Sequence, residues 1–185
     1  MGRCQKDADH NRKRIEDDLD ARGHILGAWV GQNLVGTVRV NLLREGDVGA
    51  YEALYRLHEI STQDAQHTSI TTRMMVLPGF RASCVAARLA SDIYDFALSR
   101  GVLFDFIDCN AHLVSFFERL GYQVQHTAVH ANYGPVTVMR LEVTDDRMLS
   151  RIRSPFLRPL RAWLANQAAG AHTDAGLELT NSQMP

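Results

Sequence analysis

The strongest constraint on the fold is an ordered run in the middle of the chain. An apolar stretch meets a Pro-Gly stop, a long amphipathic stripe follows, and a second apolar stretch comes after a glycine. Residues 69–77 (SITTRMMVL) read as a strand that Pro78-Gly79 ends. Val85, Leu89, Ile93, Phe96 and Ala97 recur at helical spacing, with Arg81 and Ser83 at the start and Gly101 at the end. Residues 102–108 (VLFDFID) then read as another strand. Strand, helix and strand make a βαβ unit, so the two strands are expected side by side and parallel, joined by a right-handed crossover.

The flanks fit around that unit. Residues 24–30 and 34–42 bracket Gly31-Gln32-Asn33 as a hairpin, and Arg39 and Asn41 fall on its polar face. Tyr51, Leu54, Tyr55 and His58 predict a helix over 48–60, and residues 61–67 read as a polar loop. Asn110 is placed to cap a helix carrying Leu113, Phe116, Phe117 and Leu120, which Gly121 stops. Residues 122–129 and 136–143 predict a closing antiparallel pair. Ser154-Pro155-Phe156 opens a last helix with Leu157, Leu160, Trp163 and Leu164, expected to dock on the domain. The expected organisation is a charged segment 1–22 with a short helix over 9–20, a domain 23–153, a C-terminal helix 154–169 and a flexible tail 170–185.

With 185 residues, 20 Lys+Arg against 21 Asp+Glu and 45% hydrophobic residues, the chain suits one globular domain and carries no broad basic field for nucleic acid. Cys4, Cys84 and Cys109 form no CxxC, and no histidines stand at HxH or HxxxH spacing, so neither a disulfide framework nor a metal site is expected. The polar N-terminus lacks the apolar core of a signal peptide, and no stretch is apolar enough to span a bilayer. A cytoplasmic location is the expectation.

Two motifs carry a resemblance. VLPGFRASCVAARL is similar, through Val76, Pro78, Phe80, Arg81 and Ala86, to the strand-to-helix junction that binds the coenzyme A pyrophosphate in the GNAT superfamily of acyltransferases. Asn110-Ala-His-Leu-Val-Ser-Phe-Phe-Glu-Arg-Leu-Gly-Tyr resembles that superfamily's closing motif. Two departures stand out. Cys84 replaces the first small glycine, and Phe117 occupies the place of the tyrosine credited with protonating the departing thiolate. Asp17-x-x-Asp20, Val35-Gly-Thr-Val-Arg39 and Thr72-Arg73-Met74 point within the superfamily to the N-acyl amino acid synthase and acyl-homoserine-lactone synthase branch. Ile70 stands where the lactone synthases place a glutamate, which argues against lactone formation. Met1 falls about where that branch's first helix ends, so a shortened acceptor side is expected.

The resemblance implies an α/β (α+β) fold: a GNAT-like mixed, mostly antiparallel sheet with a central splayed parallel strand pair and flanking helices. It implies an N-acyltransferase with no tightly bound cofactor, taking acyl-coenzyme A or acyl-phosphopantetheine, the latter on an acyl carrier protein, as co-substrate. The acceptor is a small amine such as an amino acid. An acetyl-coenzyme A N-acetyltransferase and a non-catalytic acyl-thioester sensor are the alternatives. Donor contacts are assigned to Met75, Val76, Leu77, Arg81, Ala82, Ser83, Cys84, Val85, Ala86, Asn110 and Phe117, with a backbone N–H of Met75 or Val76 stabilising the oxyanion. Acceptor contacts are assigned to Arg39, Thr72, Arg73, Asp108 and Tyr133, with Asp17 and Asp20 orienting an amine or pairing with Arg39. His58, Glu59, His130 and Asp108 are nominated as base, with Glu59 and His130 carried forward, and Cys109 as an alternative nucleophile.

Overall fold

The computed structural model describes residues 8–9 and 14–180. In chain order its strands are β1 (Ala8–Asp9), β2 (Arg14–Ile15), β3 (His24–Val30), β4 (Asn33–Leu42), β5 (Thr68–Val76), β6 (Phe104–Cys109), β7 (Gln123–His130) and β8 (Gly134–Glu142). The helices are α1 (Tyr51–Leu54), α2 (Thr62–Ala65), α3 (Val85–Ser99), α4 (Val114–Leu120), α5 (Asp146–Arg151) and α6 (Leu157–Thr180). β1 and β2 pair by themselves. The other six strands form one sheet in the order β3-β4-β5-β6-β8-β7, in which β5 and β6 run parallel and every other neighbouring pair is antiparallel.

Side-chain alternation along the strands gives the sheet two apolar faces. Ile107, Cys109, Met139 and Leu141 pack with Leu89, Ile93 and Leu98 of α3, Phe117 of α4, Leu149 of α5, and Phe156 and Leu160 before and within α6. On the opposite face Ile70, Phe106 and Val138 pack with Leu19, Val48, Tyr55 and Leu57. Leu160 is wholly buried and Tyr94 stacks on Phe156 with ring centroids 4.1 Å apart, so the last helix docks on the domain as expected.

Four local readings change. Residues 17–22 form hydrogen-bonded turns, Asp20 N–H to Asp17 O at 3.0 Å and Arg22 N–H to Leu19 O at 3.3 Å, and Ala8–Asp9 pairs with Arg14–Ile15, so the described part of 9–20 contains no helix; residues 10–13 lie outside the described residues. The helix read over 48–60 is one turn, because Arg56 adopts a left-handed backbone (φ 54°) and residues 57–59 continue as a separate 3-10 turn. Within 61–67, Ser61 accepts the Asp64 N–H and caps α2. The backbone of α6 runs past Gly170 to Thr180. The sequence reading also passes over α5, which Asp145 opens by accepting the Met148 N–H at 2.9 Å.

A buried carboxylate cross-links the parallel pair. Asp105 of β6 accepts from Ser69 Oγ at 2.5 Å and Thr71 Oγ1 at 3.0 Å of β5, and from Tyr122 Oη at 2.6 Å. Burial pushes its pKa up to about 6, with the three hydroxyl donors opposing. A raised acid contributes stability below its unfolded pKa and loses it as pH rises through the folded value. Asp105 therefore weakens the fold by about 3 kcal/mol between pH 4 and pH 7. In Asp105→Asn the amide still accepts from Ser69 and Thr71, and this slope disappears. Urea unfolding at pH 4, 5.5 and 7 should show the variant gaining on the parent as pH rises; a constant difference would refute the assignment.

Candidate active site

The site is created where β5 leaves β6. Thr37 pairs with Met75 and Arg39 with Thr72, so Arg73 and Met74 together oppose Val38 in a β-bulge. Arg73 takes φ 53°, a left-handed conformation that disfavours a side chain with a Cβ. The extra residue lets Thr72 and Arg73 reach the same group of partners, since Arg39 Nε donates to Thr72 Oγ1 at 3.0 Å and both arginines bind the same two carboxylates. Pairing of β5 with β6 ends at Thr71↔Ile107, although the strands continue to Val76 and Cys109. Between the separated ends lies a cavity of about 190 Å³, lined by residues that include Thr72, Arg73, Met75, Asp108, Asn110, Phe117 and Tyr133.

Strand register decides which backbone donor faces this cleft. Leu77 N–H donates to Val35 O at 2.9 Å, toward β4. Amides two apart along a strand point the same way, so Met75 N–H also faces β4, while Val76 N–H and C=O face the open side. Arg81 Nε donates to Val76 O at 3.2 Å, in keeping with that orientation. Of the two amides named from sequence, that of Val76 points to the side of β5 away from β4, while Met75 is the one of the two residues that lines the cleft.

The bulge is held by a four-residue ionic cluster. Arg39 Nη1 lies 2.5 Å from Asp17 Oδ1 and 2.6 Å from Asp20 Oδ1; Arg73 Nη2 and Nη1 lie 2.8 Å and 3.0 Å from Asp17 Oδ2 and Asp20 Oδ2. Burial pushes the Asp20 carboxyl up, but the Asp17 N–H bond and the two guanidiniums outweigh it and leave it below its ordinary value. Asp17 and Asp20 thus pair with Arg39, one of the roles read for them from sequence. Arg39 is 1% exposed, spends its bonds on protein groups and does not line the cleft, whereas Thr72 and Arg73 do.

Beside this cluster sits a group of aromatics around one acid. Asp108 accepts from Tyr55 Oη at 2.7 Å. Burial, reinforced by Asp108, pushes the Tyr51 hydroxyl up to about 12, so it stays protonated. The His130 ring is 4.5 Å from Tyr133 and 5.8 Å from Tyr51, and its Nδ1 accepts the Asn132 N–H at 3.1 Å, which puts the neutral ring's proton on Nε2. Tyr51 and Tyr55 were missed as site residues because their spacing reads equally well as the core stripe of a helix.

The remaining nominees separate. Glu59 and His58 form an exposed pair 3.9 Å apart, and Glu59 lines a different cavity of about 320 Å³; the left-handed Arg56 turns this segment away from the cleft. Cys109 is buried, 3.7 Å from Met139 Sδ, and burial followed by Asp108 pushes its thiol up to about 11, so it is a poor nucleophile. Asn110 holds the cap position with its backbone, accepting Leu113 N–H at 2.9 Å, and its side chain makes no cap bond. At the α3 start Ala82, Ser83 and Cys84 are exposed, Val85 is buried and Ala86 half-buried. Ser83 Oγ accepts the Val85 N–H at 3.3 Å. Among the described residues, no group of three or more His, Cys, Asp and Glu is placed to hold a metal ion, and no helix is long and apolar enough to cross a membrane.

The profile of the N-acyl amino acid synthase FeeM matches residues 4–142. The chain belongs to the FeeM family. It is accordingly an acyltransferase, and its fold is that of the GNAT-like enzymes. Solved structures agree in fold. The CoA-dependent acyl-homoserine lactone synthase BjaI, solved with SAM and isopentyl-CoA, superposes with a TM-score of 0.61 at 16% identity, over 80% of this chain and 73% of that one. MesI, another CoA-dependent acyl-homoserine lactone synthase, gives 0.58 at 18% identity over 76% and 72%. FeeM from uncultured soil microbes gives 0.52 at 15% identity over 72% and 83%. No curated protein matches the sequence.

The bulge makes a testable demand on this FeeM-family chain. Both Arg73→Gly and Arg73→Ala lose the ion pairs, but only glycine accepts φ 53° without strain. Glycine should therefore be the less destabilising replacement by about 1 kcal/mol in denaturant unfolding. The opposite order would mean that the bulge relaxes once its carboxylate partners are lost.

Proposed function

We propose that the protein transfers an acyl group from a phosphopantetheine thioester, carried on an acyl carrier protein, to the α-amine of a free amino acid. The observation that carries this reading is the unpaired end of the β5–β6 pair, with Met74 and Met75 of β5 and Asp108 of β6 lining the gap and the Val76 amide turned away from β4 just beyond it. A pantetheine arm lying between the strands satisfies their open backbone groups as a surrogate strand, displacing Arg81 from Val76 O. The thioester carbonyl then accepts from Val76 N–H, and Asp108 draws the acceptor ammonium toward it.

The chemistry balances without a covalent enzyme intermediate. An ammonium first gives one proton to water or a nearby base. The amine nitrogen attacks the carbonyl carbon, the C–S bond breaks, and the second nitrogen proton ends on the departing thiolate. Phe117 has no hydroxyl to deliver that proton, whereas Tyr51 and Tyr133 line the cleft as phenols. His130, beside both tyrosines, is not placed to receive the first proton, because its Nδ1 accepts the Asn132 N–H and its Nε2 carries the neutral ring's proton, so that proton leaves to water.

The carrier-protein donor is favoured over free acyl-coenzyme A by the α3 start. Cys84 adds a Cβ and sulfur where close approach of a pyrophosphate needs glycine, and Ser83 already occupies the Val85 N–H. The CoA dependence of BjaI and MesI supports acyl-coenzyme A as the second reading.

Incubation with dodecanoyl-carrier protein or dodecanoyl-coenzyme A and a pool of amino acids, read by mass spectrometry, decides between them. Amides should form with the carrier-protein donor, and Cys84→Gly should raise use of the coenzyme A donor only. Equal use of both donors by the parent would reject the carrier-protein assignment, and no amide from either would reject the transfer. Asp108→Asn should lower kcat/KM for the amino acid by about 10- to 100-fold, the range of a lost charged hydrogen bond.

A further inference from the structure

An aspartate near a strand end turns about two side-chain bonds, so its charge serves a reaction only where something fixes its direction. Alternation along β6 puts Phe104, Phe106 and Asp108 on one face. The Tyr55 ring stacks on Phe106, with centroids 6.1 Å apart and planes inclined at 20°. Its hydroxyl reaches the next residue along that face and donates to Asp108 Oδ1 at 2.7 Å. Asp108 Oδ2 takes no hydrogen bond from the described residues.

Tyr55 is itself held firmly. Its N–H donates to Tyr51 O at 2.9 Å at the end of α1, and Arg56 directly after it turns left-handed at φ 54°. The ring is buried and leans on Tyr51 at 5.4 Å. Burial, reinforced by Asp108, pushes the Tyr55 hydroxyl well above its ordinary pKa, so it stays a donor throughout the neutral range. Tyr55 lines the polar cavity of about 320 Å³, which shares no lining residue with the cleft. Its route to the cleft is therefore through Asp108, which does line it.

We propose that Tyr55 is a positioning residue for the acceptor: its hydroxyl pins Asp108 Oδ1 and so presents Oδ2 to the ammonium in the cleft. The inference rests on the transfer reading above. A hydrogen bond to a carboxylate is of the strong, charge-assisted kind, and losing it leaves the charge in place but free to turn. Tyr55→Phe keeps the ring on Phe106 and removes one oxygen. The loss should fall on binding of the charged acceptor, with the donor and the acyl-transfer step unaffected.

Steady-state kinetics on the full chain test this with dodecanoyl-carrier protein and dodecanoyl-coenzyme A as donors. The acceptors are the amino acid that yields most amide from the pool above and its aminooxy analogue, in which an O–NH2 group, uncharged at pH 7, replaces the ammonium. With either acceptor the nitrogen bonds to the carbonyl carbon, the C–S bond breaks and an N–H proton ends on the thiolate, but only the amino acid arrives as a cation. The uncatalysed reaction is subtracted. Tyr55→Phe should raise the amino acid KM at least tenfold, with kcat, donor KM and turnover of the aminooxy analogue within twofold of the parent. Both acceptors are read on one preparation, so a loss of folded protein lowers both alike and leaves their ratio unchanged. In an Asp108→Ala background Tyr55→Phe should change the amino acid KM by less than twofold. An unmoved amino acid KM overturns the positioning role, and so does a loss shared equally by both acceptors or a further loss on top of Asp108→Ala. Product from neither acceptor with the parent would overturn the transfer reading and this role together, an outcome distinct from parent turnover that Tyr55→Phe leaves unchanged.

Discussion

The ionic cluster of Asp17, Asp20, Arg39 and Arg73 is the interaction on which the site depends, because it holds a strained residue in place. An arginine at φ 53° in a strand is unfavourable unless its side chain is fixed, and here it is fixed by two carboxylates on a turn distant in sequence. Those carboxylates are themselves set by Arg39, which lies in β4 at the register of Thr72. Two cations against two anions leave no net charge in a largely desolvated place, and each arginine reaches both acids. Removing one partner therefore leaves a charge unbalanced and frees the bulge at once. The acidic turn thus holds one wall of the cleft through Arg73.

The bulge has a counterpart lower in the same strand pair. Asp105, Ser69 and Thr71 tie β5 to β6 by side chains within the register where their backbones also pair. Among the described residues the pairing of the two strands ends at Thr71, and the bulge carries β5 away. One end of the parallel pair is closed by a buried acid, and the other is opened by a left-handed arginine. The thioester tether of the proposed reaction needs an opening in an intact sheet, which is what this division would provide. The closed end is held by a carboxylate that burial disfavours, so the arrangement sacrifices some stability near neutral pH.

Much of this frame was legible in the sequence. The βαβ unit is, because a period-3.6 stripe between two apolar runs admits few other folds, and the pairing of Asp17 and Asp20 with Arg39 was among the readings of those acids. The bulge was not legible, since an arginine carries no compositional sign of left-handed backbone as glycine would. Nor were Tyr51 and Tyr55, whose i, i+4 spacing is what a core helix stripe looks like. Arg56 breaks that helix after one turn, and the Tyr55 hydroxyl donates to Asp108 across the sheet. Asp105 also escaped notice, because an acid inside an apolar run betrays its partners only when the neighbouring strand's hydroxyls are aligned with it.

Burial at Cys109 bears on the course of the reaction. The thiol stands in β6 next to Asp108, whose charge adds to the effect of burial in holding it protonated up to about 11. At pH 7 its thiolate fraction is then of order one in ten thousand, so a covalent acyl-cysteine would have to form from the weak nucleophile. The same Asp108 carboxylate favours a cation beside it and hence the approach of an ammonium. A single negative charge at this position therefore acts in two ways that favour one route: it disfavours the thiolate and, in the proposed transfer, attracts the acceptor ammonium. Direct attack needs both substrates bound together, and a gap between the strand ends with the Asp108 carboxylate in its lining suits a ternary complex better than two successive half-reactions.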